Sequence, residues 1–152
     1  MRRLVFVPVL LLALFLAACG GGGSSSEEAA EIAWGKEADA LITHFRTTGA
    51  PGVNEAAEAA PTHQQGEEIF YRGLGKKFDQ LGTELEATDA PDACVDSRQS
   101  AAQMAQKIGA YFAEMAEQGD LTAAEYRALK VTTGKRMAGT LARFEKLELD
   151  HC

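Results

Sequence analysis

The feature that most constrains this chain is a run of apolar residues spaced three and four apart, from Trp34 to Leu147. The run is broken into four segments by helix caps, glycines and prolines. Such spacing places apolar side chains on one stripe of an α-helix, and no alternating β-branched stretch competes with it. The first segment starts near Ser26, with Ser25 and Glu28 at capping-box spacing. It carries Trp34, Ala38, Leu41, Ile42 and Phe45 on its apolar face, and Gly49 and Pro51 are expected to end it. Residues 49–61 read as a connection, with a short helical turn over 54–60.

The second segment starts at Thr62, with Gln65 three residues on, and exposes one face of Ile69, Phe70, Leu74, Phe78, Leu81 and Leu85. Four glycines, Gly66, Gly73, Gly75 and Gly82, lie within it. Each costs a helix about 1 kcal/mol relative to alanine, so their presence points to close helix packing or a kink, or else to a hinge or backbone-lined ligand site. Pro91, behind Asp89, opens the third segment. Its face is Ala101, Met104, Ala105, Ile108, Phe112 and Met115, and Gly119 is expected to stop it near Gln118. Thr122 and Glu125 form another capping box before the fourth segment. That face is Tyr126, Leu129, Met137, Leu141, Phe144 and Leu147, and the helix is expected to fray near Leu149. The expectation is an all-α, up-down-up-down four-helix bundle.

The start of the chain carries a different signal. Arg2 and Arg3 precede an apolar stretch from Leu4 to Leu16, followed by Leu16-Ala17-Ala18-Cys19 and then Gly20 to Ser26. This stretch resembles the type II signal peptide of bacterial lipoproteins. A plain secretory cut at the same small residues is the competing reading, and the cysteine directly after Ala18 favours the lipoprotein. The resemblance implies removal of residues 1–18, a diacylglyceryl thioether on Cys19 and acylation of its new amine, palmitate being the usual chain. Residues 19–26 would then be the lipidated cysteine and a Gly/Ser tether, and residues 27–152 the helical bundle. Acyl chains anchor by about 0.8 kcal/mol per buried CH₂, so several together hold without help from the polypeptide. The expected location is the bacterial envelope, on the extracytoplasmic side. Gly20 replaces the aspartate that in enterobacterial lipoproteins marks retention at the inner membrane. The resemblance thus implies the outer membrane in a two-membrane host, and the outer face of the cytoplasmic membrane otherwise.

With Cys19 assigned to lipid, Cys94 and Cys152 remain as an even pair in an oxidising setting and are expected to form a disulfide. That bond would tie the start of the third helix to the C-terminus. It would close a loop of about 58 residues, worth about 4 kcal/mol in the chain-entropy model.

Charge narrows the partners. The whole chain carries 15 lysines and arginines against 22 acids, a net charge of −7. Losing Arg2 and Arg3 with the signal brings it to −9. Nucleic acid and anionic lipid are therefore disfavoured partners, and the membrane contact falls to the lipid anchor.

No catalytic set is legible. No two of His44, His63 and His151 stand at H-x-x-x-H spacing, and the pair of Glu-x-x-His motifs that a diiron bundle uses is not there, so no metal site is assigned, although His44 and His63 would approach if the first two helices were antiparallel neighbours. There is no haem-attachment C-x-x-C-H and no nucleophile elbow, and Gly73-Leu74-Gly75 sits inside a helix rather than a phosphate loop. The adjacent acids Glu67 and Glu68 read as surface charge. No cofactor is expected. Tyr71 and Arg72, with Tyr111, form the candidate partner-contact patch, because tyrosine and arginine favour interface centres and Tyr71 cannot share a core face with Phe70. The sequence thus favours a lipid-anchored, non-enzymatic binding module for an envelope protein or peptide. A carrier of a small ligand, haem or metal in the bundle core is the alternative.

Overall fold

The computed structural model describes residues 24–117, 121–147 and 149. The expected signal peptide, Cys19, the glycines before Ser24, Gly119 and Cys152 lie outside them. All regular elements among the described residues are helical. They are α1 (Ser24–His44), a π-turn (Phe45–Gly49), α2 (Ala50–Glu58), α3 (His63–Glu86), a 3₁₀ turn (Asp92–Cys94), α4 (Val95–Ala116) and α5 (Ala123–Phe144). Because α1, the π-turn and α2 run on without a break, these make four rods in a helical bundle.

The first rod corrects the expected stop at Gly49 and Pro51. Proline has no N–H to give to the carbonyl four residues back, and its ring crowds that carbonyl. Here the turn widens instead of breaking: the Ala50 N–H donates to the Phe45 carbonyl, a π-type bond. Pro51 then falls in the first turn of α2, where its missing N–H costs little. Most of the expected connection is therefore α2, and the turn between rods shrinks to 59–62. At the other end α1 is already helical at Ser24, two residues before the expected start and inside the expected tether. Its Ala29–Ala30 pair and the acids Glu27, Glu28 and Glu31 suit a helix N-terminus.

The centre of the fold is the α3–α4 pair. A methyl group at Gly75 would lie 3.2 Å from the Gly109 carbonyl oxygen, and one at Gly109 would lie 2.9 Å from that of Gly75. A methyl at Gly82 would lie 2.9 Å from the Ala102 carbonyl oxygen. The two backbones meet, and Phe78 stacks on Phe112 beside them, with ring centroids 5.7 Å apart. The other two α3 glycines face α2. A methyl at Gly73 would lie 2.7 Å from the Val53 side chain, and one at Gly66 would lie 2.8 Å from the Ala57 carbonyl oxygen. Of the readings left open for these glycines, close packing is the one observed.

The first rod runs antiparallel to α3. Trp34 lies beside Thr88, Phe45 against Phe78 and Val53 against Gly73. Trp34 is 2% exposed, and its indole N–H donates to the Thr88 hydroxyl at 3.0 Å. That hydroxyl donates to the Leu85 carbonyl, and Arg98 of α4 donates to the Thr88 carbonyl. One threonine thus fastens α1, the end of α3 and α4. Residues 26–33 of α1 are almost entirely exposed, and this segment overhangs the bundle.

α5 packs along α4, with Arg136 paired to Glu114 and its guanidinium 4.8 Å from the Tyr111 ring centroid. It is the most lightly buried rod: only Thr133 and Phe144 of it are buried. The Thr122–Glu125 capping box forms in both directions, and Thr62 caps α3 by accepting from the Gln65 N–H. α4 ends at Ala116 and α5 at Phe144, both short of the expected limits. Beyond α5, Leu149 is buried in the core and Leu147 packs against it. Cys94 is fully buried at the foot of α4. It is the one cysteine among the described residues, so no cysteine pair at disulfide distance is in view.

A methyl group at Gly75 or Gly82 must push the α3–α4 backbones apart, whereas Gly134 and Gly139 of α5 have nothing within 4 Å of that position. Gly75→Ala and Gly82→Ala are expected to destabilise by about 1–3 kcal/mol. Gly139→Ala is expected to stabilise by about 0.5–1 kcal/mol, read in urea melts of the three variants against the parent.

Candidate functional site

Each of α3 and α5 supplies two residues one helical turn apart, and the four meet. α3 brings Glu67 and Tyr71, and α5 brings Tyr126 and Lys130. The Lys130 ammonium donates to the Glu67 carboxylate at 2.7 Å. It also stands 5.4 Å from the Tyr71 ring centroid and 5.0 Å from that of Tyr126. A carboxylate and two ring faces around one ammonium form a cation-stabilising cage, since ring quadrupoles attract positive charge. The Glu67 hydrogen bond holds Lys130 protonated well above the usual lysine range; burial opposes this and the Tyr71 phenol adds to it. Burial pushes the Tyr126 phenol above its usual range, and the Glu67 charge reinforces the shift.

An open groove of about 480 Å³ adjoins this cage at the corner between α2 and α3. Phe70, Tyr71 and Ala60 supply its apolar side, with Glu58, His63 and Glu67 at its edge. Glu67 and Tyr71 therefore belong to both cage and groove. A second groove of about 400 Å³ runs along the α3–α4 seam over Gly75 and Gly109, with Arg72 at its edge.

The proposed contact pair is split by this arrangement. Tyr71 is half-buried and faces the first groove, whereas Arg72 is exposed, lines the second and pairs with Glu68 at 2.9 Å. Tyr111 is buried under Arg136 at the α4–α5 interface and so does not belong to an exposed patch. The expectation that Phe70 and Tyr71 cannot share a core is also corrected. Both rings lie about equally close to Phe112, at 6.3 and 6.4 Å, because consecutive large rings on a helix can lean toward one crevice from either side. Ile69, expected on the core face, is 40% exposed.

The adjacent carboxylates diverge, Glu67 to Lys130 and Glu68 to Arg72. His44 is exposed near the middle of the first rod, whereas His63 stands 3.8 Å from Glu67 at the start of α3. Antiparallel packing separates the two histidines instead of joining them, because His44 falls late in α1, level with the middle of α3. Among the described residues no group of three or more His, Cys, Asp or Glu is placed to hold a metal ion. Met104 and Met137 are partly buried and Met115 buried, all packed with the core.

The cage escaped sequence reading because its halves are 63 residues apart. The available signal was a tyrosine one turn from a charged residue on the same face in each of two segments, the two charges being of opposite sign. No family model, curated protein or solved structure matches the chain.

The cage predicts alkaline loosening of α5. Lys130 and Tyr126 both bind their protons more tightly when folded, so their contribution is complete below the unfolded values of about 10 and is lost as pH rises beyond them. Melting temperature is expected to be level near pH 8 and to fall above about pH 10, with a shallower fall in Lys130→Met.

Proposed function

We propose that this chain is a lipid-anchored, extracytoplasmic, non-enzymatic module that binds another protein or peptide of the bacterial envelope. The observation that carries the reading is Leu16-Ala17-Ala18-Cys19 after a short apolar run. An apolar stretch of this length is too short to span a bilayer comfortably, and it ends in the residues that lipid attachment requires. No helix among the described residues is long and apolar enough to cross a membrane. Once attached, the lipid supplies the membrane contact.

Binding rather than carriage is favoured by the centre of the bundle. The α3 and α4 backbones touch at Gly75 and Gly109, leaving no room for a flat cofactor between them. The open groove beside Tyr71 lies at the end of the bundle instead. Grooves with an aromatic floor and a few polar groups suit recognition of a peptide side chain.

The reading includes the Cys94–Cys152 disulfide. Glu114 with Arg136, and Tyr111 with Arg136, set the α4–α5 register and place Phe144 about level with Gln106. From there to Cys94 is roughly 18 Å of helix. The eight residues after Phe144 reach about 26 Å when extended, enough to cover it. Leu149 is buried against the core that contains Cys94, as a tail following that route would be.

Intact mass of the full chain from its native membrane tests both parts. The expected mass starts at acylated Cys19 and shows no alkylatable thiol until reduction. A mass starting elsewhere contradicts the anchor, and two thiols open to alkylation in the unfolded, unreduced protein contradict the disulfide.

A further inference from the structure

We propose that the α2–α3 groove takes a basic side chain, lysine or arginine, from a short apolar segment of a protein partner. The proposal rests on the binding-module reading above and assigns its site and the chemistry of its partner.

The charge of the groove points this way. Its lining includes Glu58, Glu67 and His63 and no lysine or arginine, and because Lys130 already pairs with Glu67, the unbalanced charge is that of Glu58. Glu58 is exposed, and its one hydrogen bond comes from the neutral Asn54 amide, so its charge is not neutralised there. The α2 C-terminus and the α3 N-terminus meet at this corner, so their opposed helix dipoles largely cancel and the side chains set the sign. The mature chain as a whole is strongly acidic, which disfavours a second copy of itself as the occupant.

Lys130 gives the independent indication. Its ammonium already sits between Glu67 and the Tyr71 and Tyr126 rings, immediately beside the open groove. The same carboxylate and the same Tyr71 ring line the groove. The corner therefore already stabilises one lysine, from within the chain, next to space for another cation. An apolar residue of the incoming segment would lie on Phe70 and Ala60, while its cation meets Glu58 and the free edge of Glu67.

Placement sets the groove apart from the anchor. Trp34 on Thr88 puts the start of the first rod at the α3–α4 connection, and α1 overhangs that end by about ten residues, roughly 15 Å. The groove is at the opposite end of α3, roughly 30 Å from Thr88 along the helix. An anchor before Ser24 therefore joins the domain at the end opposite the groove.

The test uses the full lipidated chain in zwitterionic nanodiscs, with empty nanodiscs as the blank. The probe is a dansyl-labelled, amidated lysine–leucine–lysine peptide, and the glutamate–leucine–glutamate peptide is its counterpart. Fluorescence titration is expected to show saturable binding of the first and none of the second. Glu58→Gln, which removes the unneutralised charge, and Ala60→Phe, which fills the floor, should each weaken binding by roughly tenfold. Glu28→Gln, the same charge change on the overhang, should leave binding within twofold, and all three variants should melt like the parent. No saturable binding, or equal losses from Glu28→Gln and Glu58→Gln, overturns the groove assignment. Either result leaves the anchor untouched, because the mass of acylated Cys19 decides that separately.

Discussion

Contact between the α3 and α4 backbones is the constraint from which the rest of this structure follows. Gly75 and Gly82 on one helix, with Gly109 and Ala102 on the other, remove the side chains that would hold the axes apart. Each glycine weakens the isolated helix, and the close approach offsets that through dense dispersion contacts along the seam. Leu81, Leu85 and Ile108 are then fully enclosed, and Phe78 and Phe112 stack at the seam's edge. A small domain with few aromatic residues obtains a dense centre in this way without large side chains.

α3 serves two neighbours because its glycines form two pairs. Gly75 and Gly82 are seven residues apart and face α4; Gly66 and Gly73 have the same spacing and face α2. A separation of seven returns nearly to the same face of a helix, and the nine-residue offset between pairs rotates the second away from the first. The outer rods are fastened differently. The first is held by Trp34 on Thr88, where one threonine, through its hydroxyl and its carbonyl, serves three elements. α5 is held by few buried side chains and by cations, Lys130 at one end and Arg136 further along. The site thus lies where the most weakly buried rod meets the part of α3 that precedes its first buried residue, Leu74.

Helix periodicity made much of this legible. Trp34, Ala38 and Ile42, the Leu74–Leu85 face and most of the α4 face occupy the core positions their spacing predicts. The capping boxes at Thr62 and Thr122 located two helix starts to the residue. Pro51 misled because a proline after a glycine reads as a stop, while a π-turn accommodates both inside one bent rod. The site was half legible. Tyr71 stood out by residue type, but its true neighbours, Glu67, Tyr126 and Lys130, come together only through the α3–α5 arrangement, which no local pattern encodes. Arg72 adjoins Tyr71 in sequence yet turns about 100° around the helix into another groove.

Native-state hydrogen exchange, residue by residue, tests the central claim most directly. If the glycine seam carries the fold, the amides of Leu74–Leu85 and Ala101–Phe112 exchange last and share one free energy, that of global unfolding. The α5 amides should open earlier and as a group, and those preceding Trp34 earliest of all. A result in which the α3–α4 seam opens before α5, or no more slowly than it, would contradict the account.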